Sequence, residues 1–304
     1  MTDGINKYLK TLEAKGYAAG TIRYQRNHLE NFQKYLYQQS ITEWAGTTTR
    51  TIISYLATLT DRNLKRTTVI SQLNALRQFF AYLCRQKQLD HNPTLKIEIP
   101  KPQRTLSNVP TEAEVLQILA VPDLRTPIGI RDRAILELLY STGLRRQEAV
   151  NLNLNDVDLE NGQVFVNQGK NYKDRMVPLG ETAAKFIETY LKLVRWWFVR
   201  DPKETALFID SQKGRRLHPV TLNQIVIRTV RKSRISKRIT THTFRHAMAT
   251  HLLQNQADIR HIQLMLGHNS VETTEIYTRL AIDDIKAVYR QAHPHARNHS
   301  INSI

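Results

Sequence analysis

The sequence predicts a mainly α-helical protein of two domains, the second of which also holds a small antiparallel β-sheet. Three observations lead to this fold class. Apolar residues recur at helical spacing throughout residues 1–92, a proline-containing basic segment follows at 93–110, and two short strand-like segments joined by a turn occur only after it. The 304 residues allow each domain a core of its own, since domains typically hold ~100–200 residues.

Residues 1–92 are expected to form a bundle of four amphipathic helices. In each predicted helix apolar side chains recur three or four positions apart, and Gly16 ends the first. Short loops between helices of this kind favour a small bundle. The apolar residues that mark the helices are, in turn, Ile5, Tyr8, Leu9 and Leu12; Leu29, Phe32 and Leu36; Ile52, Ile53, Leu56 and Leu59; and Val69, Leu73, Leu76, Phe80 and Leu83.

A basic, semi-extended linker is expected over residues 93–110. Asn92-Pro93 interrupts the last helix of the bundle, because a residue before proline disfavours helical backbone. The linker holds four prolines and several cationic residues, namely Pro93, Pro100, Pro102, Pro110, Lys96, Lys101 and Arg104. Thr111 and Glu114 then form a capping-box pattern, which predicts the start of a helix. This helix is expected to be the first of a second domain, which covers residues 111–292.

The second domain is predicted to combine helices with a hairpin of two short strands. The strands are expected at Gly162–Gln168 and Asp174–Leu179, joined by a basic turn at 169–173, and Ala206–Asp210 is a candidate third strand. The expected helices are Arg131–Tyr140, Thr182–Val199, Pro219–Arg231, Thr243–Gln254, Ile259–Leu266 and Val271–Tyr277.

An aromatic cluster in this domain and the residues that follow the domain are interpreted separately. Trp196, Trp197 and Phe198 are interpreted as core residues, because large aromatic side chains are usually buried. Residues 293–304 hold few large apolar side chains and are expected to form a flexible tail. The histidines His293, His295 and His299 are then interpreted simply as residues of this tail.

The charge balance favours a polyanionic partner. Lys and Arg together number 44 against 27 Asp and Glu, a formal net charge of +17. Such a surface is attracted to nucleic acid, because each neutralised phosphate releases condensed counterions. An anionic membrane surface is the weaker alternative, since no strongly basic amphipathic segment stands alone. No apolar stretch is long enough to span a membrane.

The chain is expected to be cytoplasmic. A single cysteine, Cys84, excludes a disulfide within the chain and fits a reducing compartment. The first residues, MTDGINKYLK, lack the cationic-then-apolar layout of a secretion signal.

Five local clusters hold candidate chemistry in the second domain. They are TGLRRQE at 142–148, GKNYKDR at 169–175, HTFRH at 242–246, LGH at 266–268 and TTEIYT at 273–278. Brought together, their arginines, lysine and histidines would bind a phosphate and stabilise the extra charge of a five-coordinate transition state. The same cations would lower the pKa of a tyrosine hydroxyl, ordinarily ~10, and a lysine could protonate a leaving oxygen.

Each cluster also has a simpler interpretation when taken alone. Arg145 and Arg146 could be surface residues after a glycine turn, and lysines at a hairpin tip are commonly just solvated. His242 and His246 lie four residues apart and could pair on zinc, but the glutamate of an HExxH site and any cysteine cluster are missing.

In their order and spacing the five clusters resemble the tyrosine recombinase (phage integrase) family, most closely its bacterial Xer-type branch. That family carries TGLR-x-x-E, a GKG-x-K hairpin, H-x-x-RH, LGH and TTxxY in this order, and Tyr277 here follows His268 by nine residues. The resemblance extends to the N-terminal bundle through LNALRQFFAYL and the following HNP. It implies an N-terminal SAM-like, core-binding DNA-binding domain and a catalytic recombinase domain.

The resemblance also implies roles for individual residues. Tyr277 would be the nucleophile and Lys170 the general acid. Glu148 would orient the side chain of Arg145 without contacting the phosphate itself. The phosphate would be bound by Arg145, His242, Arg245 and His268, and DNA contacts would come from Lys96, Lys101, Arg104 and Lys173. No metal, cofactor or ATP would be required.

One departure from the family pattern affects the general acid. Asn171 stands where relatives usually have glycine, and Asn tolerates a positive φ better than most residues. The hairpin can therefore form, but it stays open whether Lys170 or Lys173 faces the phosphate.

The resemblance implies a site-specific recombinase that works through a 3′-phosphotyrosyl intermediate and a Holliday junction, in integration, excision or dimer resolution. The partners would be double-stranded DNA with specific sites and other subunits, as a homotetramer or together with a second recombinase, and no membrane. An apolar stripe of Ile282, Ile285, Val288 and Tyr289 is interpreted as docking on a neighbouring subunit, the alternative being its own domain. Two other functions stay open: nicking and closing as in type IB topoisomerases, and DNA-binding regulation without catalysis.

Overall fold

The computed structural model describes residues 1–98, 109–167, 174–267 and 279–296. The chain folds into two compact units, residues 1–105 and 106–304, and each has its own hydrophobic core. The division lies inside the segment predicted to be a linker. Over the described ranges, no helix combines the length and the apolar character that crossing a membrane requires.

The first unit is built from the four predicted helices. They are α1 (Thr2–Ala14), α2 (Ala19–Gln38), α3 (Thr49–Asp61) and α4 (Arg66–Arg85). Aromatic side chains fill its core: the ring of Trp44, from the connection between α2 and α3, lies 4.8 Å from that of Phe79. Phe32 and Phe80, both fully buried, lie beside this pair with ring centroids 6.3 Å apart.

Residues 93–97 differ from the predicted linker, because they pack on the helical bundle. Thr94 is fully buried and Ile97 joins the core of the first unit. The Thr49 hydroxyl donates to the carbonyl of Pro93 at 2.8 Å, and the Arg77 guanidinium donates to the carbonyl of Ile97. Since these backbone groups are fixed, any extended connection starts after residue 97.

The second unit combines helices with one three-stranded sheet. Its helices are α5 (Glu112–Leu119), α6 (Pro127–Thr142), α7 (Arg146–Asn151), α8 (Glu181–Leu193), α9 (Arg195–Phe198), α10 (Pro219–Lys232), α11 (Thr241–Gln254), α12 (Ile259–Leu266) and α13 (Arg279–Ala292). The strands are β1 (Val157–Asp158), β2 (Gln163–Val166) and β3 (Arg175–Pro178), antiparallel in the order β1-β2-β3. The predicted helix at Val271–Tyr277 lies outside the described residues.

Helix α6 is the central element of the second unit. Every residue from Ala134 to Thr142 is buried, and the helix packs on α8 and α11. It begins with a Thr126 cap, whose hydroxyl accepts from the amide of Gly129 at 3.0 Å, and Pro127 occupies the first turn. It ends at Gly143, which adopts φ +59°.

The prediction of a third strand at Ala206–Asp210 is wrong. The segment makes only single bridges, Asn153 with Ala206 and Ile209 with Arg216, and pairs with no strand in the described part of the unit. Leu207, Phe208 and Ile209 are nonetheless buried in the core. This apolar run belongs to a buried loop. A run of only five residues looks the same in sequence whether it forms a buried loop or a strand paired in a sheet.

The predicted helix Thr182–Val199 is broken, and the expectation that its tryptophans lie in the core is wrong. Val194 leaves the helical conformation with φ −129°, so that α8 and α9 are separate helices. Val194 itself is buried, whereas Trp196 and Trp197 are 63% and 62% exposed. The break turns both indole rings outward.

Helix α13 docks on its own domain, so that the expected docking of its apolar stripe on a neighbour is corrected. Ile285 and Tyr289 are both buried within the core of the second unit, and Val288 packs against it. The Tyr289 hydroxyl lies 2.7 Å from Ser141 Oγ, which also accepts from the amide of Gly180 at 2.9 Å.

The segment after α13 also differs from the flexible tail expected from residue 293. His293 is fully buried: its Nε2 lies 3.2 Å from the carbonyl of Tyr140, and its Nδ1 accepts from the amide of His295 at 3.1 Å. His295 in turn lies 3.0 Å from a carboxylate oxygen of the fully buried Glu137. The short motif HPH therefore closes the core instead of opening a tail.

Candidate active site

A glycine turn places Arg145 at the start of a new helix. The left-handed conformation of Gly143 reverses the chain after α6, and a Cβ there would lie 2.6 Å from Met248 Cε, so that only glycine fits without movement. Leu144 is buried next to it. Arg145 then caps α7, and its amide donates to Glu148 Oε2 at 2.7 Å.

Glu148 lies between two guanidinium groups. Arg145 Nη1 donates to its Oε1 at 2.8 Å, while Arg175 donates from Nη1 to Oε1 at 3.1 Å and from Nη2 to Oε2 at 2.9 Å. Burial acts to raise the pKa of Glu148, but the charge of Arg175 and the hydrogen bonds from both arginines outweigh it, so that the pKa is lowered. Glu148 is therefore a carboxylate at neutral pH, and it fixes one edge of the Arg145 guanidinium.

Arg245 reaches the same place from α11. Its side chain is buried; Nη1 donates to the carbonyl of Gly143 at 2.8 Å and Nη2 to the carbonyl of Leu266 at 2.5 Å. Burial, together with the nearby charge of Arg145, lowers the pKa of Arg245 to about 10. The guanidinium still carries its charge at neutral pH, in a setting where that charge is weakly screened.

Three guanidiniums converge on the C-terminal end of α12. The carbonyls of Met265, Leu266 and Gly267 accept, in turn, from Arg175 Nε at 2.8 Å, Arg245 Nη2 at 2.5 Å and Arg145 Nη2 at 3.4 Å. These are the carbonyls that a helix leaves without partners and where its dipole is negative. The end of α12, directly before His268, is thus the point at which the cationic residues meet.

His242 lies in the first turn of α11, three residues before Arg245. It is exposed, and its ring meets that of His246 edge to face with centroids 4.7 Å apart. Partial burial and the neighbouring His246, Arg245 and Arg145 lower the pKa of His242, so that it is a neutral hydrogen-bond donor at pH 7. Within the described ranges, no three His, Cys, Asp or Glu side chains are grouped as metal ligands.

The described residues bring together Arg145, Glu148, His242 and Arg245 of the predicted site. Lys96, a predicted DNA contact, is exposed on the first unit. The other predicted residues, Lys170, His268, Tyr277, Lys101, Arg104 and Lys173, lie outside the described residues.

Arg175 is a member of this cluster that the sequence interpretation missed. A signal was present in β3, because strand side chains alternate between faces. Arg175 pairs with Val166 and Val177 with Val164, so that the arginine shares the buried face with three valines. A charged residue at a buried position of an otherwise apolar strand face requires a buried partner, which here is Glu148.

The sequence also matches models of known families. Residues 108–283 match the phage integrase family and residues 5–87 match the phage integrase N-terminal SAM-like domain. The chain belongs to the phage integrase family. The chain is 36% identical over 293 residues to tyrosine recombinase XerD of Staphylococcus haemolyticus, which covers 96% of this chain and 99% of that protein. The predicted resemblance to Xer-type tyrosine recombinases is confirmed, and with it the enzyme class.

Solved structures of this family share the fold. XerH bound to a palindromic difH substrate in a post-cleavage complex superposes with a TM-score of 0.69 at 24% identity, covering 94% of this chain and 83% of that one. A λ integrase tetramer bound to a Holliday junction gives 0.70 at 18% identity, covering 91% and 80%. The predicted fold class, mainly α with a small antiparallel sheet and an N-terminal SAM-like domain, is confirmed.

Proposed function

We propose that this integrase-family protein recombines DNA at specific sites by cutting and rejoining strands through a tyrosine nucleophile. The observation that carries the proposal is the position of Arg145 and Arg245 beside His242, with Arg145 held by the Glu148 carboxylate. Two fixed guanidiniums and a neutral imidazole offer hydrogen-bond donors to the two non-bridging oxygens of a phosphate. Membership of the phage integrase family supports the assignment of tyrosine recombinase chemistry to this cluster.

The proposed reaction conserves the phosphodiester energy. Tyr277 loses its hydroxyl proton to water and attacks the scissile phosphorus as a phenolate, which forms a 3′-phosphotyrosyl bond while the bond to the 5′-oxygen breaks. The departing 5′-oxygen takes a proton from Lys170 or from Lys173, both of which lie between β2 and β3 in the sequence. The 5′-hydroxyl of a second strand then attacks the phosphotyrosine, releases Tyr277 and forms the exchanged strand. No ATP is consumed, because every ester that breaks is replaced by another.

The arginines would act mainly on the transition state. Charge builds on the non-bridging oxygens as phosphorus becomes five-coordinate, and donors fixed in advance stabilise that charge without reorganising. Arg145 and Arg245 are held by Glu148 and by backbone carbonyls, so they need not move when the charge develops. Removing one such donor typically costs ~10²–10³-fold in rate.

A covalent-adduct assay tests the proposal. The protein is incubated with a nicked recombination site, chosen from genomic DNA that it captures, and the adduct is resolved on a denaturing gel. Tyr277→Phe should keep DNA affinity and form no adduct. Tyr289→Phe is the matched control, because that hydroxyl is engaged by Ser141 in the core, and it should still form one. An adduct with Tyr277→Phe would identify another nucleophile and overturn the assignment.

The assembly and location follow as part of the same proposal. A tetramer on two DNA sites, made of this chain alone or with a second recombinase, is supported by the λ integrase tetramer bound to a Holliday junction. The helical residues 1–92 and the catalytic residues 111–292 would each contact duplex DNA, with Lys96, Lys101 and Arg104 on its phosphates. The net charge of +17 supports association with DNA, and the single cysteine supports a reducing compartment such as the cytoplasm.

A further inference from the structure

Arg175 is among the largest fully buried side chains of the protein, and every nitrogen of its guanidinium has a described partner. Nη1 and Nη2 grip the two oxygens of Glu148, and Nε donates to the carbonyl of Met265. The side chain thus connects β3 to α7 and to the last turn of α12. Neither phosphate nor solvent reaches it, since it is 2% exposed.

A buried guanidinium is costly to desolvate, and well-packed apolar residues often replace a buried ion pair without loss of stability. What Arg175 supplies instead is the position of Glu148. That carboxylate accepts from Arg145 on the other side, so it is shared between a buried guanidinium and one whose side chain is 41% exposed. Because Glu148 is shared, it accepts only from Nη1 of Arg145, while Nη2 of Arg145 donates to the carbonyl of Gly267 at 3.4 Å.

We infer that Arg175 is a positioning residue for the phosphate-binding Arg145. It holds Glu148 in place so that the carboxylate accepts from Nη1 of Arg145 but not from Nη2. It also fixes the carbonyl of Met265 in the last turn of α12. This rests on the proposed role of Arg145 in phosphate binding. It adds a residue that touches no substrate and acts through Glu148 and the end of α12.

The electrostatic consequence is specific. With Arg175 present, one carboxylate faces two guanidiniums; without it, Glu148 faces Arg145 alone. The carboxylate can then take Arg145 in a two-pronged grip, and the positive charge available to the phosphate falls. Arg175→Met should therefore harm the step in which Arg145 neutralises charge, and a slight misplacement of such a group can cost ~10²-fold in rate.

Single-turnover cleavage of a nicked half-site measures this, with two scissile groups in parallel. One substrate carries an ordinary phosphate and the other a methylphosphonate, which lacks one anionic oxygen and needs less neutralisation. Arg175→Met should slow cleavage of the phosphate substrate about 100-fold and leave DNA affinity unchanged. Cleavage of the methylphosphonate substrate should be slowed much less. A double variant, Arg175→Met with Glu148→Gln, should be no slower than Arg175→Met alone, because both changes act on one path.

Arg131 provides the matched control. It is equally buried, donates to a carboxylate, that of Asp132, and to a carbonyl, that of Ile209, but makes no described contact with Glu148 or α12. Arg131→Met should change the cleavage rates of the phosphate and the methylphosphonate substrates by the same factor. If Arg175→Met fails to fold, Arg175→Lys serves in its place; it keeps the charge but loses the two-point contact with Glu148, and should favour the methylphosphonate in the same direction but to a smaller degree.

The outcomes separate this inference from the proposed function. Equal slowing of both substrates by the Arg175 variants, or a rate within twofold of the wild-type rate, would overturn the positioning role. Failure of the wild-type protein to form any covalent adduct would overturn the proposed function itself.

Discussion

Acidification should weaken the second unit through His293. This side chain is fully buried, with Nε2 facing the carbonyl of Tyr140 and Nδ1 accepting the amide hydrogen of His295. Both nitrogens are satisfied only in the neutral form with the proton on Nε2. A second proton would set an N–H against the N–H of His295. Burial and the neighbouring His295 accordingly lower the pKa of His293 to about 3.

The magnitude follows from proton linkage. Because the folded-state pKa lies below the ordinary value of 6.5, the unfolded chain binds a proton that the folded chain refuses. Stability from this residue is complete above the unfolded pKa and falls by about 1.4 kcal/mol per pH unit below it. Between about pH 7.5 and pH 5.5 the loss is therefore ~1.4 kcal/mol from His293 alone.

His251 acts in the same direction at the same site. Its Nε2 lies 3.0 Å from the carbonyl of Pro110 and its Nδ1 lies 2.9 Å from the hydroxyl of Tyr140, again a neutral arrangement. Burial lowers its pKa, so its contribution is also lost as pH falls.

Urea unfolding followed by far-UV circular dichroism at the two pH values measures the effect. His293→Gln is the comparison, because an amide retains one donor and one acceptor but does not titrate. The wild-type protein should lose ~1.4 kcal/mol more than this variant on acidification. Equal losses in both proteins, or a gain in wild-type stability at the lower pH, would refute the neutral, buried state of His293.

Three further predictions concern other parts of the protein. Gly143→Ala should lower unfolding stability by at least ~1–2 kcal/mol in thermal melts, because the residue has φ +59° and its new Cβ meets Met248 Cε; a neutral effect would contradict the turn geometry. Tyr289→Phe should cost ~1 kcal/mol, since Ser141 loses a hydrogen-bond partner but keeps the amide of Gly180, and the melt should shift accordingly. DNA affinity should fall ~10³–10⁵-fold between about 50 and 200 mM salt if 6–10 phosphates are contacted, and a flat response in a titration would contradict the charge interpretation.

Helical segments were predictable where an apolar period and end signals agree. The segment Ile259–Leu266 has the predicted bounds, because Asp258 caps its start and Gly267 adopts φ +64° at its end. The four helices of the first unit were predictable from the apolar period, although among them only α3 has a side-chain cap, from Thr48. Ala206–Asp210 and the segment around Val194 were not predictable, since burial of a loop and a local break leave the same apolar pattern as a regular element.

The candidate site shows the same division. Short motifs identified Arg145, Glu148 and Arg245, because a glycine turn and a helical spacing fix them locally. Arg175 depends on a partner 27 positions away in the chain, and His293 depends on a carbonyl 153 positions away. The alternation of β3 indicates that Arg175 is buried, but no local pattern identifies Glu148 as the partner of Arg175 or the carbonyl of Tyr140 as that of His293.

The outward-facing indoles have a consequence for spectroscopy. Of the three tryptophans, Trp44 lies in the aromatic core of the first unit, while Trp196 and Trp197 are already surrounded by solvent in the folded protein. A red shift of emission during unfolding should therefore report the first unit almost alone, whereas ellipticity follows both. Recording the two signals in one titration would show which half melts first, and acid should separate the curves.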